Sequence, residues 1–221
     1  MDLEYLRSDI NDLITKPKEA FKRIINYENN YMGAIFLFIA GLIFAIEQIM
    51  ITNENFEKLK DSMGVSIAMA SAQRDGLIVA AIMLPFILVG LWYLLAFVTD
   101  LLAEKMGGFQ GSYSDILTGY CYIAFFLAVF MLITFPLFIL EHMASIQICG
   151  TLFNILTVLF TIWIMYMSTT AIEVIYGMPF ANAFIVVLIT FFLLAVFVSI
   201  FYFIIGQLVI PALRKGHYDA F

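Results

Sequence analysis

Glu47, Arg74, Asp75, Glu141, His142 and Gln147 are the side chains of this sequence best suited to act together. Two carboxylates and an imidazole can hold a divalent cation or pass a proton. They are far apart along the chain and follow no ligand spacing, so the pattern itself supports no metal site. The same groups serve equally as edge residues paired with Arg74 or wetted by water. A second set, Asp100, Glu104, Asp115 and Glu173, is wholly acidic. It reads as a solvated rim before it reads as a binding site. The chain contains no HExxH, GxSxG or Walker A pattern, and Gly107-Gly108 lacks the strand and helix context of a nucleotide loop. His142 and His217 have no partner at a telling spacing. No catalytic residue, cofactor site or metal site is assigned, and a non-enzymatic protein is expected.

The elements that must position these groups are apolar. Of 221 residues 63% are hydrophobic and 13% charged, with a mean hydropathy of +0.99. A soluble domain is nearer half apolar and a quarter charged. A water-soluble fold of this composition would lack the polar surface to cover itself. The net charge of −6 and the absence of a basic patch exclude a nucleic-acid binder. Two cysteines, Cys121 and Cys149, are too few for a disulfide framework and are expected as free thiols near opposite membrane faces.

Five apolar runs are each long enough to cross a bilayer: about 31–51, 76–99, 116–140, 152–174 and 180–210. About twenty residues suffice, at 1.5 Å rise across a core of about 30 Å. The fifth, bracketed by Pro179 and Pro211, is about 46 Å long. It must tilt, project from the membrane or break near Gly206. Residues 1–30 are polar and mixed in charge, with no signal-peptide pattern. They read as two short amphipathic helices, the second opened by Pro17. Its apolar face (Ala20, Phe21, Ile24, Ile25), edged by Lys18, Lys22 and Arg23, suits either the lipid headgroup layer or the protein's own surface. In the 52–75 link, Phe56, Leu59, Met63, Ile67 and Ala70 recur at helical spacing. That link either lies on the membrane or extends the second span. The glycines at 107, 108 and 111 predict a flexible turn. Residues 211–221 form a short tail.

Counted along these spans, each charge falls at an edge. Glu47 stands about 24 Å into the first, near the far boundary. Glu141 and His142 close the third span on that side. Asp100, Glu104 and Glu173 lie on the other. This argues against a proton relay or a voltage sensor. Pro85 and Pro136 sit inside spans two and three, where they kink or shape the bundle. Gly41 with Ala45, and Ala195 with Ser199, have the four-residue spacing that lets helix backbones approach. Ser168, Thr169 and Thr170 bond across helices, bond back to their own carbonyls, or line a pore. The basic leader (Arg7, Lys16, Lys18, Lys22, Arg23) places the N-terminus in the cytosol, and an odd number of crossings places the C-terminus outside.

Three stretches resemble the Yip1 family of five-pass membrane proteins. Ile14-Thr15-Lys16-Pro17-Lys18-Glu19-Ala20-Phe21 is similar to the entry segment of prokaryotic members. Gly111-Ser112-Tyr113-Ser114-Asp115-Ile116-Leu117, then Gly119-Tyr120, resembles the entry into their third span. Trp163, then Ala171-Ile172-Glu173-Val174-Ile175-Tyr176-Gly177-Met178-Pro179-Phe180, resembles their fourth span and the turn after it. The resemblance implies a cytosolic N-terminus and five spans. Eukaryotic members serve vesicle traffic and associate with prenylated GTPases and related five-pass proteins. This chain lacks the Asp-Leu-Tyr-Gly-Pro motif before their first span, and Cys121-Tyr122 stands where many relatives carry proline.

The expected fold is all-α: a polytopic bundle of five transmembrane helices with an N-terminal interfacial amphipathic helix. The expected function is membrane organisation, trafficking or adaptor work through helix association, in a prokaryotic cell membrane. Its partners would be the lipid bilayer, other membrane proteins or a second copy, with no cofactor. The alternative is a transporter or channel for a small solute or ion. That reading requires a water-filled cavity at mid-depth between spans two, three and four.

Overall fold

The computed structural model describes residues 3–25, 30–62, 67–144 and 146–204. The described residues form seven helices: α1 (Leu3–Thr15), α2 (Pro17–Ile24), α3 (Asn30–Ser62), α4 (Ile67–Lys105), α5 (Tyr113–Ala144), α6 (Gln147–Tyr176) and α7 (Phe180–Ile204). Helices α3 to α7 are each long and apolar enough to span a bilayer. The chain is a multi-pass integral membrane protein.

The helices outrun their apolar stretches. With 33 and 39 residues, α3 and α4 are about 50 and 58 Å long, well beyond the hydrocarbon layer. Residues 52–62 continue α3 and residues 67–75 open α4, so the described residues of the 52–75 link extend both spans. No glycine or proline interrupts the chain between Gly41 and Gly64, so nothing stops the helix where its apolar run ends. Both Pro85 and Pro136 lie within continuous helices. The expected extension of the fifth span to Ile210, the break near Gly206 and the 211–221 tail lie outside the described residues.

Helix α3 packs against both α4 and α5, α5 against α6, and α7 against α6 and α4. The α3–α4 contact is close because α3 presents no side chain there. A Cβ on Gly41 would stand 2.6 Å from the Pro85 Cα, and one on Gly33 would meet the Trp92 ring at 2.5 Å. Between α5 and α6 the seam is aromatic: Phe130 stacks on Phe160 at 4.0 Å, and Trp163 meets the edge of Phe126 at 4.8 Å.

The leader belongs to this bundle. Pro17 occupies the first turn of α2, Glu19 also lies there, and Lys22 and Arg23 sit in the last, each sign matching the helix dipole. Ala20, Phe21 and Ile24 are wholly covered and join Leu13, Ile116, Ile172 and Ile175 in one cluster. The apolar face of α2 is therefore taken up by α5 and α6 and is not left for the headgroup layer. Gly119 lies beside this face: a Cβ there would stand 3.2 Å from Ile175 and 3.8 Å from Phe21.

These contacts predict opposite effects for two glycines. Gly41→Ala drives a methyl into the α4 backbone at Pro85 and should cost about 1–3 kcal/mol. Gly90, whose Cβ would meet nothing within 4 Å, should tolerate alanine or gain about 0.5–1 kcal/mol. Thermal unfolding in detergent reads both. Equal melting temperatures for the two variants would dismiss the close α3–α4 approach.

Candidate functional site: the polar layer at the leader end

Two tyrosines grip consecutive residues of α4. Thr99 Oγ1 donates to its own Leu95 carbonyl at 2.8 Å, which uses its only proton. Tyr120, on α5, must then be the donor in the 3.0 Å bond between the Tyr120 and Thr99 hydroxyls. The next residue, Asp100, accepts a hydrogen bond from Tyr176 at the end of α6. Three helices are thus joined by hydroxyl contacts in a layer where Thr99, Tyr120 and Tyr176 are all buried.

The loop after α4 closes over Tyr176. Gly108 and Gly111 both lie against its side chain, where any Cβ would stand 2.8 Å from Tyr176 atoms. The Phe109 N–H donates to the Tyr176 carbonyl at 3.3 Å, and Gly108 N–H to Ala103 O at 2.9 Å. The glycines therefore serve close approach to a ring, which corrects the reading of a merely flexible turn. Gly107 adds a backbone turn at φ 94° that disfavours other residues. Ser112 and Asp115 then form a reciprocal cap at the start of α5. Ser112 N–H and Oγ donate to Asp115 Oδ2 at 3.0 and 2.7 Å, and Asp115 N–H reaches Ser112 Oγ at 3.4 Å. Gly177, at φ 63°, ends α6 in the left-handed conformation, and Pro179 follows.

One ion-pair clamp holds the two leader helices together, and two polar contacts fasten the leader to this layer. Arg23 donates to Asp9 Oδ1 from Nε at 2.9 Å and Nη2 at 2.6 Å, and from Nη2 to Asp12 at 2.7 Å. These carboxylates, Asp12 first, raise the Arg23 guanidinium above its ordinary value, so Arg23 keeps its charge at every working pH. Asp9 is 2% exposed and also accepts from the Tyr122 hydroxyl at 3.2 Å, which ties α1 to α5. Lys18 pairs with Glu173 at 2.6 Å, which ties α2 to α6.

The expected inner acidic set is therefore divided among structural duties. Asp100 holds Tyr176, Asp115 caps a helix, Glu173 holds Lys18, and Glu104 is exposed. The sequence marks Arg23 only as a basic residue of the leader, at the edge of the α2 stripe, and gives Asp9 and Tyr122 no role. An acid four residues before Leu13 on the buried side of α1 was the available sign, but its partners are distant in the chain.

At the far end the expected group is also parted. Arg74 pairs with its neighbour Asp75. Glu141 occupies the space a side chain on Gly150 would need, at the start of α6. His142 bonds the Phe138 carbonyl through Nδ1 at 3.0 Å, and its Nε2 lies 4.0 Å from Glu54, a residue the sequence reading passed over. Glu47 is 3% exposed, and its Oε1 has no hydrogen-bond partner among the described residues. Among the described residues no group of three or more His, Cys, Asp or Glu is placed to hold a metal.

The remaining marked residues fall on both sides of the surface. Gly41, Ala45 and Pro85 are buried between helices. Pro136, Ala195 and Ser199 are exposed, and Ser199 donates to Ala195 O at 2.8 Å. Thr169 and Thr170 bond back to Met165 and Tyr166 carbonyls within α6. Cys121 and Cys149 are free thiols. A cavity of about 420 Å³ lies between α3, α4 and α7, with an almost wholly apolar lining.

The arrangement extends from the leader to the start of α7 as one packed unit, and the profile of the Yip1 domain matches residues 11–202. The chain belongs to the Yip1 domain family. Comparison with curated proteins and with solved structures finds no match. The Yip1 domain match includes α2 and the last residues of α1, so most of the docked leader is part of the domain. It also includes both tyrosines that hold α4.

The clamp predicts an order of effects. Arg23→Ala leaves the buried Asp9 without its cation and should loosen the leader by about 1–3 kcal/mol. Lys18→Ala removes a largely exposed partner and should cost at most about 1 kcal/mol. Limited proteolysis within residues 1–30 should therefore speed up about tenfold or more in Arg23→Ala and little in Lys18→Ala. Equal rates in the two variants would show that Asp9 does not depend on Arg23.

Proposed function

We propose that this Yip1-family protein is a non-enzymatic membrane adaptor that works in membrane organisation or trafficking by associating with other membrane proteins at its leader end. The leader end faces the cytosol in this reading, as its basic residues suggest. The observation that carries it is the surface formed there. Phe109 is 92% exposed, yet its backbone is pinned to Tyr176 and its loop to Ala103. Ile14 is 60% exposed on a leader fixed by Arg23 and Lys18. Large apolar side chains held on rigid backbone at a membrane edge are what a recognition surface needs.

The transporter reading has less support. It requires a wet, mid-depth cavity between α4, α5 and α6. The cavity of about 420 Å³ is bounded instead by α3, α4 and α7, and its walls are apolar. The α6 threonines give their protons to their own helix.

A photo-crosslinking residue at position 109 tests the proposal in native membranes. A discrete protein partner should be captured from position 109 and not from Ile133, which is exposed on the α5 flank. Capture should fall in Arg23→Ala, and proteoliposomes of the purified chain should pass ions and small solutes no faster than empty ones. Equal capture from both positions, or a flux that the protein adds, would overturn the adaptor reading.

A further inference from the structure

The cavity between α3, α4 and α7 has a chemical gradient along its length. Its floor is apolar, with Phe44 of α3, Leu84 and Leu91 of α4 and Phe197 of α7. Toward the far end the α3 wall turns polar at Gln48 and Thr52. Neither of these side chains has a hydrogen-bond partner among the described residues, and each lines a space inside a membrane span. An unpaired amide or hydroxyl is costly in hydrocarbon. Counted from Met32, Thr52 stands about 30 Å along α3, the thickness of the hydrocarbon core. On that count Thr52 lies at the level of lipid ester linkages and Gln48, about 24 Å along, one turn below it.

The mouth is charged. Phe56 continues the Phe44, Gln48, Thr52 stripe by one more turn, and Arg74 precedes Leu77 of the lining by one turn. The Arg74 guanidinium lies 4.7 Å over the Phe56 ring. Through Nε and Nη2 it donates to Asp75 Oδ1 at 3.1 and 3.0 Å, which leaves Nη1 unused in that pair. The Asp75 side chain is 65% exposed. A cation and an anion thus stand side by side at Phe56, one helical turn beyond the lining residue Thr52.

We propose that this groove binds one phospholipid of the phosphatidylethanolamine type. One acyl chain lies along the floor, from the level of Leu77 to Gly90, about 20 Å of helix. Its ester oxygens accept from Gln48 and Thr52, its phosphate meets Arg74, and its ammonium meets Asp75. The pair at the mouth selects the headgroup. A net-anionic headgroup would bring its charge against Asp75, and a quaternary ammonium has no N–H to donate to it. A primary ammonium answers both charges. The volume of about 420 Å³ is within the about 300–1,000 Å³ of small-molecule sites. The groove needs no occupant from the adaptor surface, which lies at the opposite end of the bundle.

Native mass spectrometry of the full chain tests the proposal, after extraction from nanodiscs of equal phosphatidylethanolamine, phosphatidylcholine and phosphatidylglycerol. One phosphatidylethanolamine should be retained per chain, at least tenfold over the other two. Gly90 borders the groove and has open space where its side chain would be. Gly90→Leu should fill that space and cut retention about tenfold, with an unchanged or higher melting temperature. Arg74→Gln and Asp75→Asn, at the mouth, should abolish the headgroup preference. Equal retention of the three headgroups by the unaltered chain would overturn the proposal. So would full retention in Gly90→Leu, or release of a second protein chain in place of lipid.

Discussion

Hydrocarbon offers no hydrogen bonds, so a polar side chain carried into the bundle must find its partner in the protein. The leader end meets that demand at the Thr99–Asp100 step of α4. Tyr120 from α5 and Tyr176 from α6 converge there. The loop over Tyr176, the cap at Ser112 and the turn at Gly177 all follow from keeping those rings in place. The leader then closes the layer from outside, with Asp9 reaching Tyr122 and Lys18 reaching Glu173.

That convergence explains why the charges of this end resisted a reading as a binding site. A one-dimensional count places Asp100, Glu104, Asp115 and Glu173 at one depth. It cannot say which lateral neighbour each will meet. Asp115 turns back three residues to its own cap, whereas Glu173 turns to a lysine 155 residues away. Depth was legible because apolar runs have a required length. Partnership was not, because it depends on the order in which helices pack around α3.

The same distinction runs through the fold. Five apolar runs were legible as five helices, and Gly41 was legible as a contact residue by its spacing. Helix ends were harder. Membrane thickness limits the apolar run, not the hydrogen-bonded helix, so α3 and α4 continue into polar sequence until a glycine or an unfavourable run stops them. The amphipathic leader posed the reverse problem. Its stripe shows that Ala20, Phe21 and Ile24 need cover, but lipid and protein cover an apolar face equally well. What decides for the protein is the cover given by Ile116, Ile172 and Ile175, and that packing links residues far apart in sequence.

The two ends of the bundle differ in how far they meet the demand for partners, although Glu173 Oε2 at the leader end is also buried with no partner among the described residues. At the leader end the tyrosine hydroxyls, Asp100 and the Arg23 clamp all have partners within the chain. At the far end Glu47 retains an unpartnered carboxylate oxygen, and Gln48 and Thr52 have no partner among the described residues. These three lie within two turns of one helix, where α3 leaves its apolar run. Glu47 is buried and Gln48 and Thr52 are half-buried, and polar groups without partners in an apolar setting persist only if the rest of the fold stabilises them or if something outside the chain completes them. The close packing of α3 at Gly33 and Gly41 supplies the first condition, since it fixes the helix that carries all three. The open groove beside Gln48 and Thr52 leaves room for the second, and Glu47 is not part of its lining.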